Sequence, residues 1–117
     1  MTQEDKELLL KDLCARLPYK VIVHIIYNTK EPCYGELTLK DIQWFIDCKI
    51  QDIKPYLRPL SSMTEEERKE YERFSRCSIG FAPILMDWLY SHHLDWRGLI
   101  PIGLAIEAPK GMYEIQN

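Results

Sequence analysis

The chain has 117 residues, a formal net charge of -3, 46% hydrophobic residues and 28% charged residues. That length suits one domain, residues 1–117, able to bury a core without disulfide or metal staples. The balance excludes intrinsic disorder and a chain-wide basic field, and no apolar run reaches the ~20 residues of a membrane span.

Thr2 caps a first helix, with Asp5 three residues on as its capping-box partner. Leu9, Leu10, Leu13, Cys14 and Leu17 recur at helical spacing, and Pro18 stops the helix. Lys20 to Tyr27 is β-branched and apolar on both faces, which predicts a central strand covered on two sides. Asn28 to Pro32 supplies turn chemistry. Tyr34 to Leu39 alternates, with Leu37 and Leu39 on one face, and Ile42 to Ile46 reads as a third strand. Short connections favour antiparallel neighbours. Lys49 to Pro59 carries Ile50, Ile53, Tyr56 and Leu57, but Pro55 and Pro59 restrict it to an edge strand.

Ser62 with Glu65, or Thr64 with Glu67, starts a second helix that runs to about Arg76. It is charged nearly all round, so it belongs outside the fold, held by Tyr71 and Phe74. Phe81, Ile84, Leu85, Trp88 and Leu89 mark a third helix from Phe81 to His92, with Pro83 in its first turn. Asp95 then caps a short turn, Pro101 and Gly103 force a bend, and Leu104 to Glu107 offers a final strand. The expected fold is α+β. An N-terminal helix packs on a small twisted antiparallel sheet of three or four strands, its faces unequally covered. Two helices follow, then a short C-terminal strand or extended tail.

The acidic opening Met1 to Asp5 is unlike a secretory signal, which predicts a cytoplasmic chain. Cys14, Cys33, Cys48 and Cys77 are then expected reduced, unbridged and mostly buried.

His92, His93 and Asp95 are competent metal-ligand types. Adjacent helical histidines point ~100° apart, however, so the plainer reading is a half-buried His92 ending a helix with His93 in solvent. His24 reads as a core histidine. No cysteine stands in a turn that would lower its pKa, and the five glycines are isolated, so neither thiol catalysis nor a phosphate loop is indicated. Lys40, Lys49, Lys54 and Arg58 beside Trp44 and Tyr56 could form a basic, aromatic sheet edge for single-stranded nucleic acid, although Asp41, Asp47 and Asp52 lie among them. Tyr56, Arg58, Asp95, Trp96 and Arg97 are residue types that anchor interfaces. The plainer reading of the last three is a tied-down turn, with Asp95 capping and Arg97 bonded to backbone carbonyls or stacked on a ring.

Three stretches carry a resemblance: Lys54 to Glu67, His92 to Ile100, and Leu104 to Pro109, with Leu8 to Tyr19 also similar. They resemble a family of short uncharacterised proteins of Bacteroides and related gut bacteria, found among prophage-like or mobile genes. The resemblance implies a bacterial intracellular setting and a mobile-element origin, and transfers no site residue. The preferred expectation is a small non-enzymatic accessory or interaction protein, working through a protein partner or self-association, without a cofactor. A nucleic-acid-associated protein using the Lys40 to Arg58 edge comes second. A small metal-dependent enzyme around His92, His93 and Asp95 comes third.

Overall fold

The computed structural model describes residues 2–28, 31–76 and 82–113. Thr29 and Lys30 of the expected turn, Cys77, and Phe81 of the expected third helix lie outside them. The fold is α+β, in the order α1 (Gln3–Arg16), β1 (Ile22–Tyr27), β2 (Cys33–Glu36), α2 (Leu39–Ile46), β3 (Ile50–Leu57), α3 (Glu65–Ser75), α4 (Ala82–Ser91) and β4 (Ile106–Glu107). Among the described residues, no helix is long and apolar enough to cross a membrane.

The sheet order is β2-β1-β3-β4. Three strands are antiparallel and β4 joins parallel to β3, so the sheet is mixed where an all-antiparallel one was expected. On β1 and β3 the odd-numbered side chains Val23, Ile25, Ile53 and Leu57 are buried in one cluster with Leu9 and Leu13 of α1 and Ile42 and Phe45 of α2. The even-numbered Ile22, His24, Lys54 and Tyr56 are half-buried, so β1 is fully covered on one face and not on two.

Two strand expectations fail for identifiable reasons. Ile42 to Ile46 lies in α2, because Thr38 is an N-cap whose hydroxyl accepts from Asp41 N–H, while the Asp41 carboxylate accepts from Thr38 N–H. Leu37 and Ile42, at the two staple positions of that cap, are both buried in the same cluster. The turn into α2 sends Leu39 outward, 70% exposed, so it does not share a face with Leu37.

The second failure concerns β3, which is central and not an edge. Pro55 sits opposite Val23, yet no rung is lost. Ala108 N–H donates to Leu57 C=O, so the odd-numbered backbone groups of β3 face β4. β4 pairs only from Tyr56 onward, leaving that side open at Pro55. The Ile53 N–H on the same open side is met by the Asp52 carboxylate at 2.9 Å.

α3 starts at the Thr64–Glu67 capping box. It rests on α4 through Tyr71 and Phe74, each with its ring centroid 6.2 Å from the Trp88 ring. Trp88, Leu89 and Leu94 form a second, smaller buried cluster. The seam between the clusters is polar. Asp12 on α1 accepts from Arg16 Nε at 2.7 Å and Arg97 Nε at 3.0 Å, and Arg16 Nη2 donates to Leu94 C=O at 2.8 Å. Arg16 also lies over the Tyr90 ring of α4, 5.1 Å from its centroid.

α2 and α4 both end in a left-handed residue that is not glycine. At Cys48 (φ 60°) and His93 (φ 59°) the following N–H returns to the helix, from Lys49 to Trp44 C=O and from Leu94 to Leu89 C=O. Cys14, Cys33 and Cys48 are free and exposed, which corrects the expectation of mostly buried thiols.

Candidate functional site

The bend after α4, the start of α3 and the residues following β3 and β4 enclose an open groove of about 1150 Å³. One wall is a fixed ionic network. Arg58 leaves the end of β3 and donates from Nη1 and Nη2 to the two Glu67 carboxylate oxygens, at 2.9 and 2.7 Å. Its remaining donors reach Ser62 Oγ, Ser62 C=O and His92 C=O. Glu67 also accepts from Thr64 N–H, and its Oε2 lies 2.7 Å from His92 Nδ1.

The electrostatics follow from this geometry. Arg58 above all, then Thr64 N–H and His92, hold the Glu67 carboxyl down at about 2, against a burial effect of opposite sign. The same pair raises Arg58. Glu67 is therefore a permanent anion and a poor proton acceptor at neutral pH.

The groove floor is aromatic. His93 and Tyr113 stack face to face, with centroids 3.8 Å apart and planes 16° apart. Burial lowers His93 to about 4, helped by the neighbouring Arg16, Arg58 and His92, so its ring is neutral at neutral pH. The Tyr113 hydroxyl accepts from Ile22 N–H at 2.8 Å and donates to Tyr56 C=O at 2.7 Å. The register sets Val23 against Pro55, and hence Ile22 against Tyr56. The phenol thus spans the next rung of the β1–β3 ladder. Burial raises its pKa to about 12.

These commitments limit the chemistry. The lining hydroxyls of Ser62 and Ser91 donate to the carbonyls of Pro59 and Trp88, and no described cysteine lines the groove. The lining also carries the exposed side chains of Thr64, Glu66, Glu107 and Lys110, and that of His92, whose Nε2 has no hydrogen-bond partner among the described residues. Such groups can form ion pairs and hydrogen bonds, and among the described lining residues there is no activated nucleophile.

The structure parts the candidate metal ligands. His92 turns to Glu67 and His93 to Tyr113, while Asp95 is buried and accepts from Leu99 N–H at 2.8 Å and Ile100 N–H at 2.9 Å. Among the described residues, no three His, Cys, Asp or Glu side chains are grouped to hold an ion. His93 is also not in solvent, because its left-handed backbone swings the ring onto Tyr113.

The five interface-type residues do not form one patch. Asp95 and Arg97 point inward, Arg97 reaching Asp12 and Tyr90 Oη at 3.0 Å each with its guanidinium 4.3 Å from the Trp96 ring centroid. Tyr56 meets His24 edge-on, and Arg58 is spent on Glu67. The basic edge is likewise divided. Lys49 and Arg58 flank the two ends of β3, roughly 30 Å apart at ~3.3 Å per residue. Lys54 lies 3.9 Å from Asp52, and Lys40 stands 4.6 Å over the Trp44 ring.

Sequence reasoning missed Glu67, Tyr113 and Asp12 as organising residues. Glu67 carried a signal, its capping box with Thr64, but that box predicts a helix start and not the second pair of bonds to Arg58 and His92. Neither Asp12, on the polar flank of a leucine face, nor Tyr113, beyond the last periodic segment, carried one. No protein-family model matches the chain, and neither does any curated protein or solved structure.

Proposed function

We propose that this chain is a non-enzymatic interaction protein that takes an extended segment of a protein partner into the groove between α3, the α4 bend and β4. The observation that carries the reading is the division of labour in the groove. One wall is held by the Arg58–Glu67–His92 hydrogen bonds, whereas the exposed Glu66, Glu107 and Lys110, and His92 Nε2, have no partner among the described residues. A wall fixed before binding loses little entropy when a partner docks. The groove volume of about 1150 Å³ also exceeds the roughly 300–1,000 Å³ typical of small-molecule sites, and the groove is open along one side.

Selection from a random peptide library, followed by amide chemical-shift mapping, tests this. Recovered peptides are expected to perturb His92, Ala108, Lys110 and Gly111, and to lose at least about tenfold in affinity for Lys110→Trp, which fills the opening. Peptides that bind elsewhere, or no peptide at all, would sink the reading.

A further inference from the structure

Resting on that reading, we infer that the segment is basic, with a lysine or arginine side chain seated between Glu66 and Glu107. Two features of the groove and the charge of the whole chain select it. Both carboxylates are exposed and without an ion-pair partner among the described residues, whereas Glu67, between the rim and the floor, is already neutralised by Arg58. Among the described lining residues, one free ammonium, Lys110, stands against these two carboxylates. The chain-wide charge of -3 acts in the same direction and draws a cationic partner from a distance.

The floor suits the same occupant. The His93–Tyr113 stack is a flat ring surface without charge at neutral pH. An aliphatic lysine stem packs on such a surface, and a guanidinium plane stacks on it. Pro59 and Pro109, which also line the groove, bring no backbone N–H. Lysine and arginine side chains carry donors alone, which suits the two unpaired carboxylates. An acidic segment would face two unpaired carboxylates and gain a single lysine.

The test uses the whole chain and three fluorescein-labelled peptides of one length and backbone pattern. One carries arginine and lysine, one glutamine and one glutamate at the variable positions. The basic peptide is expected to bind at least about tenfold more tightly than the glutamine peptide, and to weaken as salt rises from about 50 to about 300 mM. Glu66→Gln with Glu107→Gln should remove that advantage. A control pair, Glu4→Gln with Glu36→Gln, makes the same change in net charge on exposed sites outside the groove and should keep it. Equal binding of the glutamine or glutamate peptide, mapped to the groove, overturns the inference and leaves the interaction reading standing. Equal losses from the two variant pairs overturn it as well, because net charge alone then explains the affinity. If none of the three peptides binds the groove, both fall.

Discussion

Asp12 and Arg16 meet at 2.7 Å across one turn of α1, and neither side chain is exposed. Arg97 reaches the same carboxylate from the turn after α4, so one aspartate balances two guanidiniums where the two buried clusters join. Removing Asp12 leaves both cations without a counter-charge. Asp12→Ala is expected to cost about 3–5 kcal/mol. Replacing the whole triad, Asp12→Leu with Arg16→Met and Arg97→Met, should cost much less, because no charge remains to be desolvated. Urea midpoints of the two variants test this, and similar losses would show that shape, not charge balance, governs the seam.

Trp88 joins the outer helix to the rest of the molecule. Its ring contacts Tyr71, Phe74 and His92, and its Nε1–H donates to Glu70 at 2.8 Å. Trp88→Ala should cost roughly 3–5 kcal/mol and release α3. Glu70→Gln keeps the packing and weakens the charge-assisted bond, so it should cost about 1 kcal/mol. Thermal unfolding with helicity as the readout separates the two effects.

Asp95 ties the turn after α4 by holding two consecutive amides with its two oxygens. Asp95→Asn can satisfy only one of them as an acceptor, and is expected to cost about 2 kcal/mol. Hydrogen exchange at Leu99 and Ile100 should accelerate in this variant before the remainder of the chain responds.

Acid weakens the fold in two stages. His93 is held near 4, below the ordinary histidine value of 6.5. From pH 6.5 down to 4 the unfolded chain takes up a proton that the native chain refuses, so stability falls by roughly 2 kcal/mol over that window. Glu67 is held near 2, below its ordinary 4.5, so its contribution is intact above pH 4.5 and is lost as the pH falls through 2. His93→Asn, which tolerates the left-handed backbone, should erase the first stage and keep the second. Denaturant midpoints measured from pH 7 to 2 report both.

The three exposed thiols make a direct check on the burial pattern. Cys14, Cys33 and Cys48 should all be alkylated by maleimide without denaturant, as read by peptide mass mapping. Protection of any one of them would contradict the described surface.

Local signals in the sequence were legible where one physical cause acted alone. The Thr2–Asp5 box, Pro18 and the leucine spacing define α1, and the Thr64–Glu67 box defines the start of α3. Trp88 and Leu89 are buried on α4 as their spacing requires. Where two causes competed, the pattern misled. Ile42 to Ile46 is too short for period 2 and period 3.6 to differ, and the deciding residues, Thr38 and Asp41, lie outside the run. Pro55 rules out a rung only on the side where its N–H is missing, so the expected edge strand can be central along most of its length and open on one side at one position. The groove was illegible for another reason. Arg58, Glu67, His92 and Tyr113 come from four separate segments, and no local spacing encodes their meeting.

The Ile22 N–H donates to a phenol oxygen that is 91 positions away in sequence. It is therefore a natural reporter: its deuterium uptake reads the undocking of Tyr113 directly, ahead of any loosening in the interior of β1. A partner that presses on the His93–Tyr113 stack should slow that single amide, even if it touches no atom of the strand.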